Sequence, residues 1–156
     1  MKGLIKRILK KIGSYSEQTS NYTVNREVHI NIGDNVRFMG ENVLDKVNPH
    51  LVEIGSHCVI GFRSSILAHC PIRGALSAKV GDFVWLGFGV TVLPGAKIGN
   101  NTIVGGGSVV TKEHPDNVIL AGNPAKVIRV LSKEEVCKLQ YRLKNRIPMG
   151  KDGEIQ

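Results

Sequence analysis

Five histidines and three cysteines are the side chains of this sequence whose types could move protons, hold a metal or attack a carbon: His29, His50, His57, His69 and His114, with Cys58, Cys70 and Cys137. An imidazole accepts and returns a proton near neutral pH and is the commonest biological base. The gaps between successive histidines are 21, 7, 12 and 45 residues, so no two are near enough in sequence for a three-histidine zinc site. The cysteines form no CxxC pair and support neither a zinc ribbon nor a disulfide framework. Cys70 adjoins His69, but nothing around it lowers a thiol pKa, so it is read as a reduced bystander.

The elements that must position these groups are written in a six-residue period. Val80, Leu86, Val92, Ile98, Val104 and Val110 hold one phase without a slip, and four of them precede a small or polar corner beginning with Gly. The same period runs through Ile54, Ile60, Ile66 and Ile72, and through Ile32, Phe38 and Leu44. Such a period is neither helical nor simple alternation. It predicts a parallel β-helix, each hexad one flat side plus a corner, with the aliphatic residue pointing to the axis and Gly, Asp or Asn taking the tight turn. Two slips interrupt it. A ten-residue step around Asn48-Pro49-His50 and an eight-residue step around Arg73-Gly74-Ala75 predict loops bulging from corners, where solenoids place their sites.

The expected division is 1–27, an N-terminal helix and loop; 28–131, the β-helix; and 132–156, a C-terminal helix and tail. Leu4, Ile5, Ile8, Leu9 and Ile12 share one helical face amid five basic residues. Two roles fit residues 1–13: a cap over the open first coil, or a peripheral contact with an anionic membrane surface. Ser132 with Glu135 forms a capping box, and Val136, Leu139, Leu143 and Ile147 make one apolar stripe. The net charge of +8 is concentrated at the two ends. Without an arginine-rich block interleaved with aromatics, nucleic acid is not expected as a partner. Neither a secretory leader nor a membrane span is expected, so the chain is read as cytoplasmic, with the inner membrane face as the alternative.

The segments Val84-Trp85-Leu86-Gly87, Leu93-Pro94-Gly95-Ala96-Lys97-Ile98-Gly99, Gly105-Gly106-Gly107-Ser108-Val109-Val110-Thr111-Lys112 and Ala121-Gly122-Asn123-Pro124-Ala125-Lys126-Val127-Ile128-Arg129 resemble the hexapeptide-repeat acyltransferases. The closest likeness is to their galactoside, maltose and xenobiotic acetyltransferase branch. That resemblance implies a left-handed β-helix of triangular section, a homotrimer, and acetyl-CoA as co-substrate in a groove between subunits, with no metal. It places the catalytic base at His69, one coil before the Trp85 segment. It implies cofactor contacts from Trp85, Gly87, Gly106, Thr111, Lys112, Lys126 and Arg129. Phe88 departs from the small polar residue common at that position, which removes an expected cofactor contact. Asn48 and Asp45, by coil counting, could each hold the second ring nitrogen of His69 or touch the acceptor. Asn48-Pro49 could equally be only a turn.

The activity so implied is transfer of acetyl to a hydroxyl of a sugar or a cell-surface polysaccharide precursor. Transfer to an amino sugar and a non-catalytic β-helix scaffold are the other readings. A scaffold has no use for His69, Trp85 and the 112–129 cations, which weighs against it.

Overall fold

The computed structural model describes residues 30–146. The expected N-terminal helix, His29, the end of the apolar stripe at Ile147 and the tail lie outside the described residues. Within them the chain is a β-solenoid of about four turns, closed by one helix at Lys133–Lys144.

Each turn contributes one short strand to each of three parallel sheets. The first sheet stacks Asn31–Ile32, Val52–Ile54, Ala78–Val80, Lys97–Ile98 and Glu113–His114. The second stacks Arg37–Phe38, Val59–Ile60, Trp85–Leu86, Ile103–Val104 and Val118–Ala121, to which Lys126–Val130 adds an antiparallel edge. The third stacks Val43–Leu44, Ser65–Ile66, Thr91–Val92 and Val109–Val110.

The six-residue phase survives as inward columns, two of which run along the second and third sheets. Phe38, Ile60, Leu86, Val104 and Leu120 are in register along the second sheet, and Leu44, Ile66, Val92 and Val110 along the third. Apart from Phe38 at the bottom, these side chains are buried, and each such burial is worth roughly 1.5–3 kcal/mol. The stacked side chains and the backbone hydrogen bonds from each coil to the next, such as Gly61 N–H to Leu86 O and Gly87 N–H to Val104 O, hold the coils together.

Two expectations need correction. Ile72 does not point inward: it is 95% exposed. The chain leaves the solenoid after Ile66, folds His69–Cys70 against Gly74–Ala75 as an antiparallel hairpin, and rejoins at Ala78. Ile66 to Val80 is therefore one step carrying a long insertion, not two steps with a short one. His114 lies beyond Val110, the last residue of the unbroken six-residue phase, and it pairs with Ile98 in an inward, buried position on the first sheet.

The corners follow the expectation in part. Positive φ falls on Asn35, Asn101 and Asn117 and on Gly40, Gly89, Gly95 and Gly107, but also on His57 and Phe83, which are neither Gly, Asp nor Asn. Gly55 and Gly87 precede such turns in ordinary backbone, and what they supply is room. A Cβ on Gly55 would lie 2.6 Å from the Gly81 carbonyl carbon, and one on Gly87 would lie 2.6 Å from the Gly106 nitrogen. Coil-to-coil contact at these points is backbone against backbone.

Candidate active site

The corner joining the third sheet to the first carries both interruptions of the period. In the first coil Asp45 follows Leu44 and begins the 45–51 insertion, which ends in a 3-10 turn at Pro49–Leu51. In the second coil Ala68 and His69 follow Ile66 and begin the hairpin. Asp45 therefore sits one coil below His69, and the buried carboxylate reaches the imidazole: Asp45 Oδ2 is 2.5 Å from His69 Nδ1. The ring is 37% exposed at the side chain while the carboxylate is 0% exposed.

Asp45 is held by its own turn. Oδ1 accepts from the backbone N–H groups of Val47 and Asn48, each at 2.9 Å, and Oδ2 accepts from Ala68 N–H at 2.7 Å. Burial pushes the Asp45 carboxyl up, but the N–H groups of Asn48 and Ala68, the His69 ring and the Val47 N–H outweigh it and bring it to about 2. A charged carboxylate facing Nδ1 keeps the proton on that nitrogen and leaves Nε2 as the basic atom. Of the two roles open to Asp45, the geometry fits orientation, since a fully covered carboxylate cannot meet an acceptor. Asn48 contributes its backbone N–H to Asp45, and its side chain is half-buried.

The third sheet links His69 to most of the expected cofactor residues. Its outward side chains are Val43, Ser65, Thr91 and Val109, a flat face without bulk or charge. One border of this face holds Asp45, His69 and, two coils higher, Thr111 and the exposed Lys112. Coils spaced ~4.8 Å apart put those two levels roughly 10 Å from each other. The other border holds Gly87 and Gly106, with Gly89 and Gly107 facing open space. Across the top, Val109 exchanges backbone hydrogen bonds with Gly122 and Ala125, which brings exposed Lys126 to the upper edge. A ledge of bare backbone rimmed by lysines suits an extended amide chain ending in phosphates.

Two expected cofactor residues lie elsewhere. Trp85 points outward on the second sheet and packs with Phe83, Val59 and Ile103 beneath Val136, Leu139 and Leu143 of the C-terminal helix. Its indole covers an apolar helix face rather than an open groove. Arg129 makes a bidentate pair with Glu135, Nη1 to Oε2 at 2.9 Å and Nη2 to Oε1 at 2.6 Å. The same Glu135 accepts from Ser132 N–H, so Arg129 is tied into the capping box that starts the helix. Arg129 and the Ser132 N–H, with a lesser share from the Ser132 hydroxyl, hold Glu135 at about 2 against the opposing effect of burial.

Sequence reasoning missed an aromatic pair on the Gly87 border: Phe62 and Phe88, both exposed, meet edge-to-face with centroids 5.9 Å apart. Each follows the glycine of its hexad, Gly61 and Gly87, so aligning the hexads would have found them. Among the described residues no group of three or more His, Cys, Asp or Glu could hold a metal ion. Nor is any helix among them long and apolar enough to cross a membrane.

A family model described as bacterial transferase hexapeptide (six repeats) matches residues 77–112. The galactoside O-acetyltransferase of Lactococcus lactis is 34% identical over 143 residues, covering 82% of this chain and 68% of that protein. The galactoside O-acetyltransferase of Escherichia coli is 31% identical over 148 residues, covering 85% and 69%. A shorter match to a protein of Saccharomyces cerevisiae, 44% identical over 68 residues, spans only 35% of that protein. Among solved structures, a hexapeptide-repeat acetyltransferase of Vibrio cholerae complexed with acetyl coenzyme A superposes with a TM-score of 0.61 at 26% identity, covering 67% of this chain and 61% of that one. A galactoside acetyltransferase in complex with coenzyme A shares the fold, with a TM-score of 0.57 at 24% identity, covering 67% and 66%. The stacked hexads thus define the class, and the chain belongs to the hexapeptide-repeat acetyltransferases.

Proposed function

We propose that this chain transfers the acetyl group of acetyl-CoA to a hydroxyl of a sugar or cell-surface polysaccharide precursor, with His69 as the general base. The observation that carries the reading is the pairing of His69 Nδ1 with buried Asp45, which aims a basic Nε2 outward. Nε2 takes the acceptor's proton as its oxygen attacks the thioester carbonyl. The tetrahedral intermediate then collapses, the C–S bond breaks, and the departing CoA sulfur recovers the proton from the ring. Asp45 stays ionised throughout and stabilises the transient imidazolium.

The CoA arm would lie along the Val43–Ser65–Thr91–Val109 face, past Gly87 and Gly106 on one border and Thr111 and Lys112 on the other, its phosphates near Lys112 and Lys126. A flat face without bulky side chains also suits close packing of a second copy, so the groove would be shared between subunits of a homotrimer. The names of the lactococcal and E. coli relatives and the acetyl coenzyme A complex of the Vibrio relative support these assignments.

Release of CoA thiol from acetyl-CoA, followed over a panel of free, nucleotide-linked and lipid-linked sugars, tests the reading. His69→Ala should lower turnover by about 10²-fold or more while acetyl-CoA still binds. An unchanged rate in that variant would move the base elsewhere.

A further inference from the structure

The hairpin rooted on His69 ends in an isoleucine with nothing over it: Ile72 is 95% exposed. One coil below, the turn that grips Asp45 presents a second bare aliphatic side chain, Val47, 67% exposed. Neither is there for want of a better place. The His69–Cys70 strand pairs with Gly74–Ala75, and Arg73 N–H donates to Cys70 Sγ, so the tip is shaped rather than trailing. Val47 donates its N–H to the same carboxylate that orients His69. Val47 is thus tied to Asp45, and Ile72 lies three residues beyond the His69 that the same aspartate holds. Exposed aliphatic groups held beside a reacting centre contribute by burying against substrate.

Their neighbours carry one sign of charge. Lys46 precedes Val47 and Arg73 follows Ile72, both exposed. The only acidic residue of segments 43–50 and 69–79 is Asp45, which is buried. A neutral sugar, all hydroxyls, matches neither the apolar pair nor the two cations.

We infer that the acceptor of this enzyme is an anionic amphiphile, a sugar joined through a phosphate to an alkyl chain, with the chain against Ile72 and Val47 and the phosphate between Lys46 and Arg73. This deepens the acetyl-transfer reading and rests on it for the identity of the reacting hydroxyl, but the binding contrast it predicts does not depend on turnover.

Calorimetric titration of the full chain with octyl phosphate, ethyl phosphate and octyl galactoside tests it, all below the concentrations at which they form micelles. Octyl phosphate should bind about tenfold or more tighter than either of the others, as expected for one aliphatic contact added to one charge contact. Ile72→Ser, a change at an exposed tip, should erase the octyl-over-ethyl difference. Arg73→Ser should weaken octyl phosphate and leave octyl galactoside unchanged. Equal binding of octyl and ethyl phosphate by the wild type, or an unaltered difference in Ile72→Ser, would overturn the proposal. So would a change of sedimenting mass in Ile72→Ser with the binding contrast intact, which would make the tip a subunit contact. CoA release with octyl galactosyl phosphate against galactose, run in parallel, reports separately on the transferase reading: binding contrast without turnover would sink that reading and spare this one.

Discussion

Asp45 and His69 are 24 residues apart in sequence and 2.5 Å apart in space, because one turn of the solenoid separates them. Asp45→Asn keeps the volume but replaces an acceptor-only group with an amide. Its NH₂ would face either the N–H groups of Val47 and Asn48 or, turned over, both the Ala68 N–H and a ring nitrogen that must no longer carry the proton. Turnover in the proposed transfer should fall by about 10²-fold or more with acetyl-CoA binding retained, and Asp45→Glu should not rescue it. Full activity in Asp45→Asn would remove the carboxylate from the mechanism.

Acid should destabilise the protein in two stages. Burial, with Lys112 adding to it, lowers the pKa of His114 below its usual 6.5. As pH falls through about 6.5, the unfolded chain gains a proton there that the folded chain resists, so stability drops. Asp45 and Glu135 are both held at about 2, below their usual 3.8 and 4.5. Their contribution is present above those usual values and is lost as pH falls from about 4.5 toward 2. Melting temperature against pH should show both declines. His114→Leu should flatten the first and leave the second.

Gly87→Ala separates a structural from a cofactor role at that position. The added Cβ would meet the Gly106 nitrogen at 2.6 Å and its Cα at 2.9 Å, both backbone, so neighbouring coils must part. Denaturant unfolding should show a loss of about 1–3 kcal/mol. A variant as stable as the wild type but weaker for CoA would reverse that assignment.

The three thiols should separate by reactivity. Burial drives Cys58 up to about 12, the Val84 N–H opposing it, so its thiolate is scarce at neutral pH. Exposed Cys137 should react with a thiol reagent within minutes, half-buried Cys70 more slowly, and Cys58 only on unfolding. Three equivalents titrated at once in the native protein would contradict the packing.

Arg129→Ala should lower the melting temperature by fraying the start of the C-terminal helix, since Glu135 would lose its bidentate partner. If Arg129 instead served CoA phosphates, the variant would melt as the wild type does and bind CoA less tightly.

The six-residue spacing of aliphatic residues determined the solenoid and the first of its two loops, because each hexad returns an aliphatic side chain to the axis once per flat side. The Ser132–Glu135 box and the 136–143 stripe likewise announced the closing helix. What the sequence left open was decided by which coil lies over which. Only stacking brings Asp45 under His69, since a ten-residue step makes the count between coils ambiguous. Only the packed helix takes Trp85, because an outward-pointing indole reads the same whether its cover is a cofactor or the chain's own helix. Only the closed coils show that Ile72 keeps the phase of the repeat yet leaves the core: periodicity records where a residue would point if the chain stayed in its coil, not whether it does.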